Sequence, residues 1–511
     1  LSSFDESYDV VVIGYGFAGA VAAINASDAG ARVLLAEKEA AGGGISICSY
    51  GAIRSAHSAD EAFAYLKATN GGRTSDDVLL TLATGMAKVE SEVRKLAAIC
   101  DAEIGIRENG GNYPFPGAAT FYDTNIVKVP GHDSATALYP HLMGSGNANG
   151  WRVFKMLQEN IARRDITVRC SLPARRLIAD SQRAVQGVSF TGPDGSEVRV
   201  EAKRGIVLAC GGFEADADMK RQYWEKTPVL SAATTSNTGD GIRMAQDLGA
   251  QLWHMWHFHG SYGFKHPDPR FADSIGIRAK RLPDWVPGEE DEFNVKMSWI
   301  IVDQDGKRYM NECTPYTQDT THRPMEFYDS QRQRFSRIPS FLVFDENGRK
   351  LYPVGAPTFN KAELAYDWSH DNLREVDRGI LKKADTVAGL AREIGCDPVE
   401  LQGTFTRWNM LCARGGDTDQ GRPPGSMMPL DTPPYYAGAI WPVVSNTQGG
   451  PMHDSRQRVL NAFGEPIERL YVAGELGSIF GHLYLAGGNL TECFIGGQIA
   501  GTEAAALEPR N

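Results

Sequence analysis

The chain has 511 residues, 42% of them hydrophobic and 23% charged, an ordinary globular balance that excludes a fibrous or wholly disordered polymer. Its 52 basic and 63 acidic side chains leave a formal charge of −11, which argues against a broad grip on nucleic-acid phosphates. Glycine is the outlier, at 55 residues where about 7% is usual, and its location is the first useful question.

The opening LSSFDESYD has no basic stretch followed by an apolar one, so no signal peptide is expected, and Leu1 in place of Met fits a trimmed start. From Val10 to Lys38 the text VVVIGYGFAGAVAAINASDAGARVLLAEK reads as an apolar strand, a glycine turn, a helix of small residues and a second strand ending in an acid. Gly14, Gly16 and Gly19 have the G-x-G-x-x-G spacing: a tight turn, room for a pyrophosphate, and close helix–sheet packing. The helix start at Phe17 and Ala18 offers unpaired N–H groups to phosphates. Glu37, beside Lys38, can accept the hydroxyls of an adenosine ribose, and an acid there argues against a 2′-phosphate. A second cluster, Gly42-Gly43-Gly44-Ile45-Ser46, follows at once. A nicotinamide has no need of it, whereas a flavin has a pyrophosphate, a ribityl chain and a ring to cradle. This syntax resembles the FAD-binding domain of the fumarate reductase/succinate dehydrogenase flavoprotein superfamily. The resemblance implies FAD, with Gly43, Gly44 and Ser46 beside it.

Residues 58–103 read as mostly helical, and 104–150, rich in Gly, Pro, Asn and Tyr, as loop. WRVFKM at 151–156 opens a helix. ITVRC at 166–170 and ARRLIA from Ala174 to 179 read as strands, followed by a meander with a hairpin turn at Asp194-Gly195. The buried strand Ile206–Ala209 is broken by Cys210-Gly211-Gly212-Phe213, where the resemblance implies a second pass along the cofactor at Ala209, Gly211 and Gly212. Asn237-Thr238-Gly239-Asp240-Gly241 turns into a helix, also as in that family, with Asn237, Gly239 and Asp240 toward the FAD. After about residue 250 the composition shifts, and 251–440 is the expected inserted substrate, or capping, domain. Within it, 384–409 reads as two helices, the first capped by Asp385 or Thr386 and the second started by Asp397-Pro398. Residues 441–511 return to strands and a last helix, so 1–250 and 441–511 together form the expected FAD-binding domain. The predicted fold is α/β: a Rossmann-like domain with a parallel sheet, helices and a small β-meander, plus an inserted α+β domain.

His254, His257 and His259 stand among Trp, Met and Phe with no interleaved acid, so they read as an aromatic pocket wall or core histidines, and no metal is expected. The eight cysteines form no C-x-x-C pair and read as reduced thiols of a cytoplasmic protein. No apolar run approaches the roughly 18 residues of a membrane span.

GKRYMNE at 306–312 resembles the G-x-R-F-x-N-E element of the flavoprotein family. The residues after it choose the chemistry. Where fumarate reductases carry their proton-delivering arginine stands Tyr316; their second clamping arginine is Leu485 here, and the histidine of their H-T-x-G-G element is Asn446. These changes remove groups that a dicarboxylate needs. The pattern is instead similar to the 3-ketosteroid dehydrogenases, the Δ1 type more than the Δ4 type. That resemblance implies Tyr316 as base, with the Tyr484 hydroxyl and the Gly488 N–H on the C3 ketone, in a GHLYLAGG segment where Leu485 and Ala486 depart from the family's Pro and Gly. His482 is a candidate for orienting that loop. The family's assisting tyrosine corresponds to Tyr113 or Tyr122. RLYVAGELGS and GGNLTECF resemble the closing FAD motif, with Gly474 and Glu475 near the ribityl–phosphate and Asn489 and Leu490 opening a helix toward the flavin. Ser46-Ile47-Cys48 lacks a histidine for covalent attachment, so FAD should be non-covalent.

The implied reaction introduces a C=C bond α,β to the carbonyl of a steroid-like cyclic ketone, by Tyr-mediated α-proton abstraction and hydride transfer to flavin N5. An enolate forms only if donors meet its oxygen. A phenol, with a pKa of about 10 in isolation, acts as base only if that value is lowered or its proton is relayed. The same residues also suit a reductase of an activated C=C bond, and a flavin-binding protein without turnover is a third reading. The substrate expected is a small apolar cyclic ketone; the electron partner is not legible.

Overall fold

The computed structural model describes residues 4–143, 149–280, 295–313 and 315–510. The first strand, β1 (Glu6–Ile13), carries an unbroken apolar run because both of its faces are covered. Val10 and Val12 face one hydrophobic core, Val11 and Ile13 another. Gly14 then turns the chain with φ +104°, and a Cβ there would lie 2.4 Å from the carbonyl oxygen of Ala209, so only glycine fits. Helix α1 (Phe17–Asp28) follows, and its small residues let it lie flat against the sheet. β2 (Val33–Ala36) pairs parallel with β1, Val10 opposite Val33 and Ile13 opposite Ala36.

On the other side of β1 the strand Glu197–Leu208 runs parallel, and beyond it Pro466–Val472, parallel again. Both ends of the chain therefore build one sheet, which Ile166–Arg169 closes at the β2 edge. Ala174–Ala179 and Val185–Thr191 form the antiparallel meander, and Gly195 takes φ +82° in the hairpin before Glu197. The last helix, Gly488–Ala506, packs on α1 so closely that a Cβ at Gly501 would meet the Ala22 carbonyl oxygen at 2.2 Å. The α/β reading with its Rossmann-like sheet holds.

A second eight-stranded sheet is centred on Tyr435–Val444, which pairs with Ser340–Asp345, Tyr262–Lys265 and Leu381–Ala384. Its central strand runs across position 440, and Leu230–Ser231, from the N-terminal part, joins its end in parallel. The two-helix segment is present as Val387–Ile394, capped by Thr386 Oγ1 on the Gly389 N–H at 3.0 Å, and Pro398–Arg414, capped by Asp397 on the Val399 N–H at 2.7 Å.

One stretch departs from expectation. The stretch holds two strands, Glu103–Glu108 and Phe121–Lys128, the second pairing with the first on one side and with Ile53–Ala56 on the other in a three-stranded antiparallel sheet. Glycine, proline and asparagine dominate the segment's composition, but Asn109, Gly110, Gly111, Asn112, Pro114, Pro116 and Gly117 sit in the connection between the strands, and only Gly105 and Asn125 lie within them. The strands are held by buried polar groups, Thr124 bonded to Ser55 and Asp123 paired with Arg54, which carry no hydrophobic periodicity. Among the described residues no helix is long and apolar enough to cross a membrane.

Candidate active site

A cavity of about 1030 Å³ runs between the Rossmann-like sheet and the second sheet. At one end it is walled by Gly14, Gly16, Phe17, Ala18, Glu37 and Lys38, at the C-terminal ends of β1 and β2, where open α/β sheets bind ligands. Along its length stand Gly44, Ser46, Ala174, Ala209, Gly211, Asn237, Asp240 and Glu475, and Asn489 and Leu490 border the far part with Tyr316 and Tyr484. The other predicted cofactor residues lie one layer behind the wall. Gly19 packs on the Gly14 carbonyl, Gly43 on Ile47, Gly239 on Met219 and Gly474 on Ala18, while Gly212 leaves room for the Thr447 hydroxyl.

The chemistry of this wall fits FAD. The first turn of α1 opens on the cavity, and its N–H groups have no intrahelical acceptor. Burial pushes the Glu37 carboxyl up, partly offset by N–H groups of Glu39 and Tyr15 that hold its two oxygens at 2.9 Å each. Lys38 bonds Asp240 at 2.7 Å, tying the second strand to the turn at 237–241. Glu475 accepts the Thr447 N–H at 2.8 Å, and burial pushes its carboxyl up to about 7. In the 46–48 stretch Ser46 Oγ accepts the Phe17 N–H at 3.3 Å.

At the far end three of the predicted tyrosines converge. The Tyr316 and Tyr484 rings stand 6.5 Å apart at 21°, and Tyr113 meets Tyr316 edge-on at 6.1 Å. Tyr316 is presented by a loop that begins in the 306–312 element. There Arg308 grips the buried Glu312 with two bonds of 2.7 and 2.8 Å and also pairs with the buried Asp417, so the motif is a clamp rather than a ligand site. Tyr484 is fixed through its N–H, which donates to Asp319 at 2.9 Å, the same carboxylate that accepts the Tyr113 hydroxyl at 2.5 Å. Burial pushes the Asp319 carboxyl up, but His257, bonded at 3.3 Å, and Arg323 outweigh it and hold the group below the usual carboxylate range. Burial and then the Asp319 charge push the Tyr113 phenol well above its ordinary value. Burial likewise raises Tyr484, only partly offset by the Asn489 N–H that its oxygen accepts at 3.2 Å. Both therefore stay protonated and can donate.

Two predicted residues are placed differently. Tyr122 points away from this end: it bonds Glu90 at 2.7 Å and stacks on His57, because strand alternation turns it to the opposite face of its sheet. The Gly488 N–H, expected on the ketone, donates instead to the Leu485 carbonyl at 2.8 Å inside the turn that starts the last helix. The neighbouring Gly487 N–H, on the cavity wall, has no hydrogen-bond partner among the described residues. His482 orients the loop through its backbone, its carbonyl accepting from Arg323, and not through its ring.

Sequence reasoning missed His259 and Asn446 as site residues. The aromatic surroundings marked His259 as pocket wall, which it is, but its ring also bonds the Tyr316 hydroxyl at 2.9 Å and Asn446 at 2.9 Å. Asn446 was visible only as the loss of a histidine. Arg54, Asn109 and Asn112 close the wall near Ala486, with Arg54 Nε donating to its carbonyl at 2.7 Å and Asn112 accepting its N–H at 2.7 Å.

The family model described as FAD binding domain matches residues 9–490. A digoxin reductase of Eggerthella lenta is 26% identical over 541 residues, covering 98% of this chain and 87% of that protein. A 3-oxosteroid 1-dehydrogenase of Mycobacterium tuberculosis is 30% identical over 304 residues, 56% of this chain and 49% of its own. The solved structure of a 3-ketosteroid Δ1-dehydrogenase from Sterolibacterium denitrificans, in complex with 1,4-androstadiene-3,17-dione, matches with a TM-score of 0.77 at 25% identity, over 98% of this chain and 100% of that one.

Proposed function

The chain belongs to the FAD binding domain family and is an FAD-dependent oxidoreductase acting on CH–CH groups, and from that premise we propose that it desaturates the ring of a steroid-like cyclic ketone next to the carbonyl. The observation that carries this reading is the tyrosine pair, Tyr316 and Tyr484, stacked at the end of the cavity that begins at Gly14. When bound, FAD supplies the acceptor for the hydride that leaves the β-carbon. The chain's own residues do the acid–base work. Tyr484, kept protonated by burial, donates to the ketone oxygen, and the Gly487 N–H is the second donor in place of Gly488. Tyr316 removes the α-proton. Tyr113 and Asp319 hold the two reacting phenols at their spacing. The second sheet, essentially 251–440 with Leu230–Ser231 and the end of Tyr435–Val444, is the proposed substrate-facing unit.

The Tyr316, Tyr484 and His259 rings at the far end support a ring-shaped substrate, and Leu485 and Asn446 leave no dicarboxylate clamp at the motif positions. The test is anaerobic bleaching of the bound flavin by the 1,2-saturated counterpart of 1,4-androstadiene-3,17-dione, by other cyclic ketones and by succinate. Bleaching by the saturated ketosteroid, with a product two mass units lighter, is expected; bleaching by succinate alone would overturn the substrate class. The similarity to a digoxin reductase over 98% of the chain favours a second reading, the same chemistry run toward reduction of an activated C=C bond. Chemically reduced enzyme reoxidised by an enone, with no bleaching by any saturated ketone, would select it.

A further inference from the structure

A phenol that takes a proton from carbon must give up its own. In the structure that proton has a receiver. His259 Nε2 lies 2.9 Å from the Tyr316 oxygen, and His259 Nδ1 lies 2.9 Å from Asn446 Oδ1. The tautomer follows from the groups behind them. The Asn489 amide N–H donates to Glu492 Oε2 at 2.7 Å and its oxygen accepts from Gln448 Nε2 at 3.2 Å, so that oxygen also faces Asn446, whose N–H reaches it at 2.5 Å. Asn446 then has only its oxygen left for the imidazole. Nδ1 must carry the hydrogen, and the Nε2 lone pair faces the phenol.

We propose that Tyr316, His259 and Asn446 form a proton relay, in which His259 Nε2 takes the phenol proton as Tyr316 takes the substrate's α-proton and Asn446 fixes the imidazole tautomer. The inference rests on the reading of Tyr316 as base and extends it to two positioning residues. The step balances without any electron transfer. The substrate C–H bond breaks and an O–H bond forms on Tyr316; the original Tyr316 O–H bond breaks and an N–H bond forms on His259. The electron pair stays on the substrate as an enolate held by Tyr484. An isolated phenol ionises at about 10 and an isolated imidazolium at about 6.5, so the pair is neutral at rest and the two transfers occur together. The arrangement is the triad logic of a nucleophile, an imidazole and an orienting amide, applied to a phenol.

Around the imidazole, the Tyr484 ring packs on it at 4.2 Å, Asn446 holds its Nδ1 side, and Arg278, from the strand Gly276–Ala279, lines the same cavity. Glu492 and Glu475 bond Asn489 and Thr447 behind this end of the cavity.

Two measurements test the relay. In protein labelled with nitrogen-15 histidine, the first reads the His259 tautomer with no substrate present. A neutral ring with its hydrogen on Nδ1 is expected in the holoenzyme, and a mixed tautomer in Asn446→Ala; a hydrogen on Nε2 overturns the relay whatever the substrate proves to be. The second is the rate of flavin reduction by a bleaching ketone in His259→Gln, with FAD retention checked by the visible spectrum. A loss of about 100-fold with unchanged half-saturation is expected, and the residual rate should climb with pH toward the phenol's own ionisation while the parent stays flat above neutrality. An unchanged rate, or a lowered rate with the parent's pH shape, overturns it. If no cyclic ketone bleaches the flavin, the substrate reading fails while the tautomer measurement still decides the relay.

Discussion

Tyr316, Tyr484 and Tyr113 are the same side chain in three electrostatic settings, and the differences assign their work. Tyr484 and Tyr113 are pushed upward by burial, the second also by the Asp319 charge, whereas the Tyr316 hydroxyl bonds the His259 ring at 2.9 Å. Replacing Tyr316 by Phe is expected to leave FAD bound and to slow flavin reduction at least ~100-fold, the low end of what a general base contributes, as read by stopped-flow at the flavin absorbance. Tyr484→Phe removes the donor to the enolate oxygen and should cost about 10²–10³-fold in the same assay. Neither effect would appear in a protein that merely carries flavin, so unchanged reduction in both variants would remove the catalytic reading. The two tyrosines were legible in the chain because each sits in a local motif. The choice between Tyr113 and Tyr122 was not, since it depends on Asp319, 206 residues beyond Tyr113. His259 and Asn446 are 187 residues apart in the chain, and neither carries a local signal of the other.

Among the elements, the contact between α1 and the last helix decides whether the cofactor end of the cavity exists. Gly497 and Gly501 lie against the Ala18 and Ala22 carbonyl oxygens, at 2.7 and 2.2 Å from where a Cβ would stand, and neither neighbour is a flexible side chain. Gly501→Ala should therefore push the two helices apart, lowering the chemical-denaturation midpoint by the equivalent of about 1–3 kcal/mol and weakening FAD retention on gel filtration. A variant with parent stability and full flavin content would show that the helices slide freely. The β1–α1–β2 unit, the hairpin at Gly195 and the caps at Thr386 and Asp397 were legible, because each depends on residues within a few positions of one another. The strands Glu103–Glu108 and Phe121–Lys128 were hidden because their sheet is held by polar groups such as Arg54, Asp123 and Thr124. The 306–312 element was legible as a motif but not as a clamp, since its partners Asp417 and Arg422 arrive from a distant loop.

Across the whole molecule, buried acids and buried histidines set up opposing pH dependences. Glu492 is pushed up to about 7 by burial, only partly offset by the Ile479 N–H, Ser478 and Asn489. The fold therefore holds a proton that the unfolded chain, ionising near 4.5, has released. Its stabilising contribution is complete below about 4.5 and is lost as pH rises through about 7. His322 works the other way. Burial, then Lys226 and Arg323, hold it neutral far below its ordinary value, and its ring stacks on Phe258 at 4.1 Å. Unfolding lets it take up a proton below about 6.5, so its contribution is present above that pH and is lost on acidification. His254, pushed down to about 4 by burial, adds to the second set, and Glu475 to the first. The two sets overlap between about pH 4.5 and 7, so the melting temperature of the whole protein should change little there while single substitutions expose each slope. Relative to the parent, Glu492→Gln should gain stability from pH 5 to about pH 7 and level off above it, and His322→Phe should gain most at pH 5 and lose that advantage by pH 8. The slope against pH, rather than the level at any one pH, is the readout in thermal melts of the FAD-loaded protein. Parallel melting curves for parent and variants across that range would show that these groups exchange no protons on unfolding, and the burial argument for them would fall.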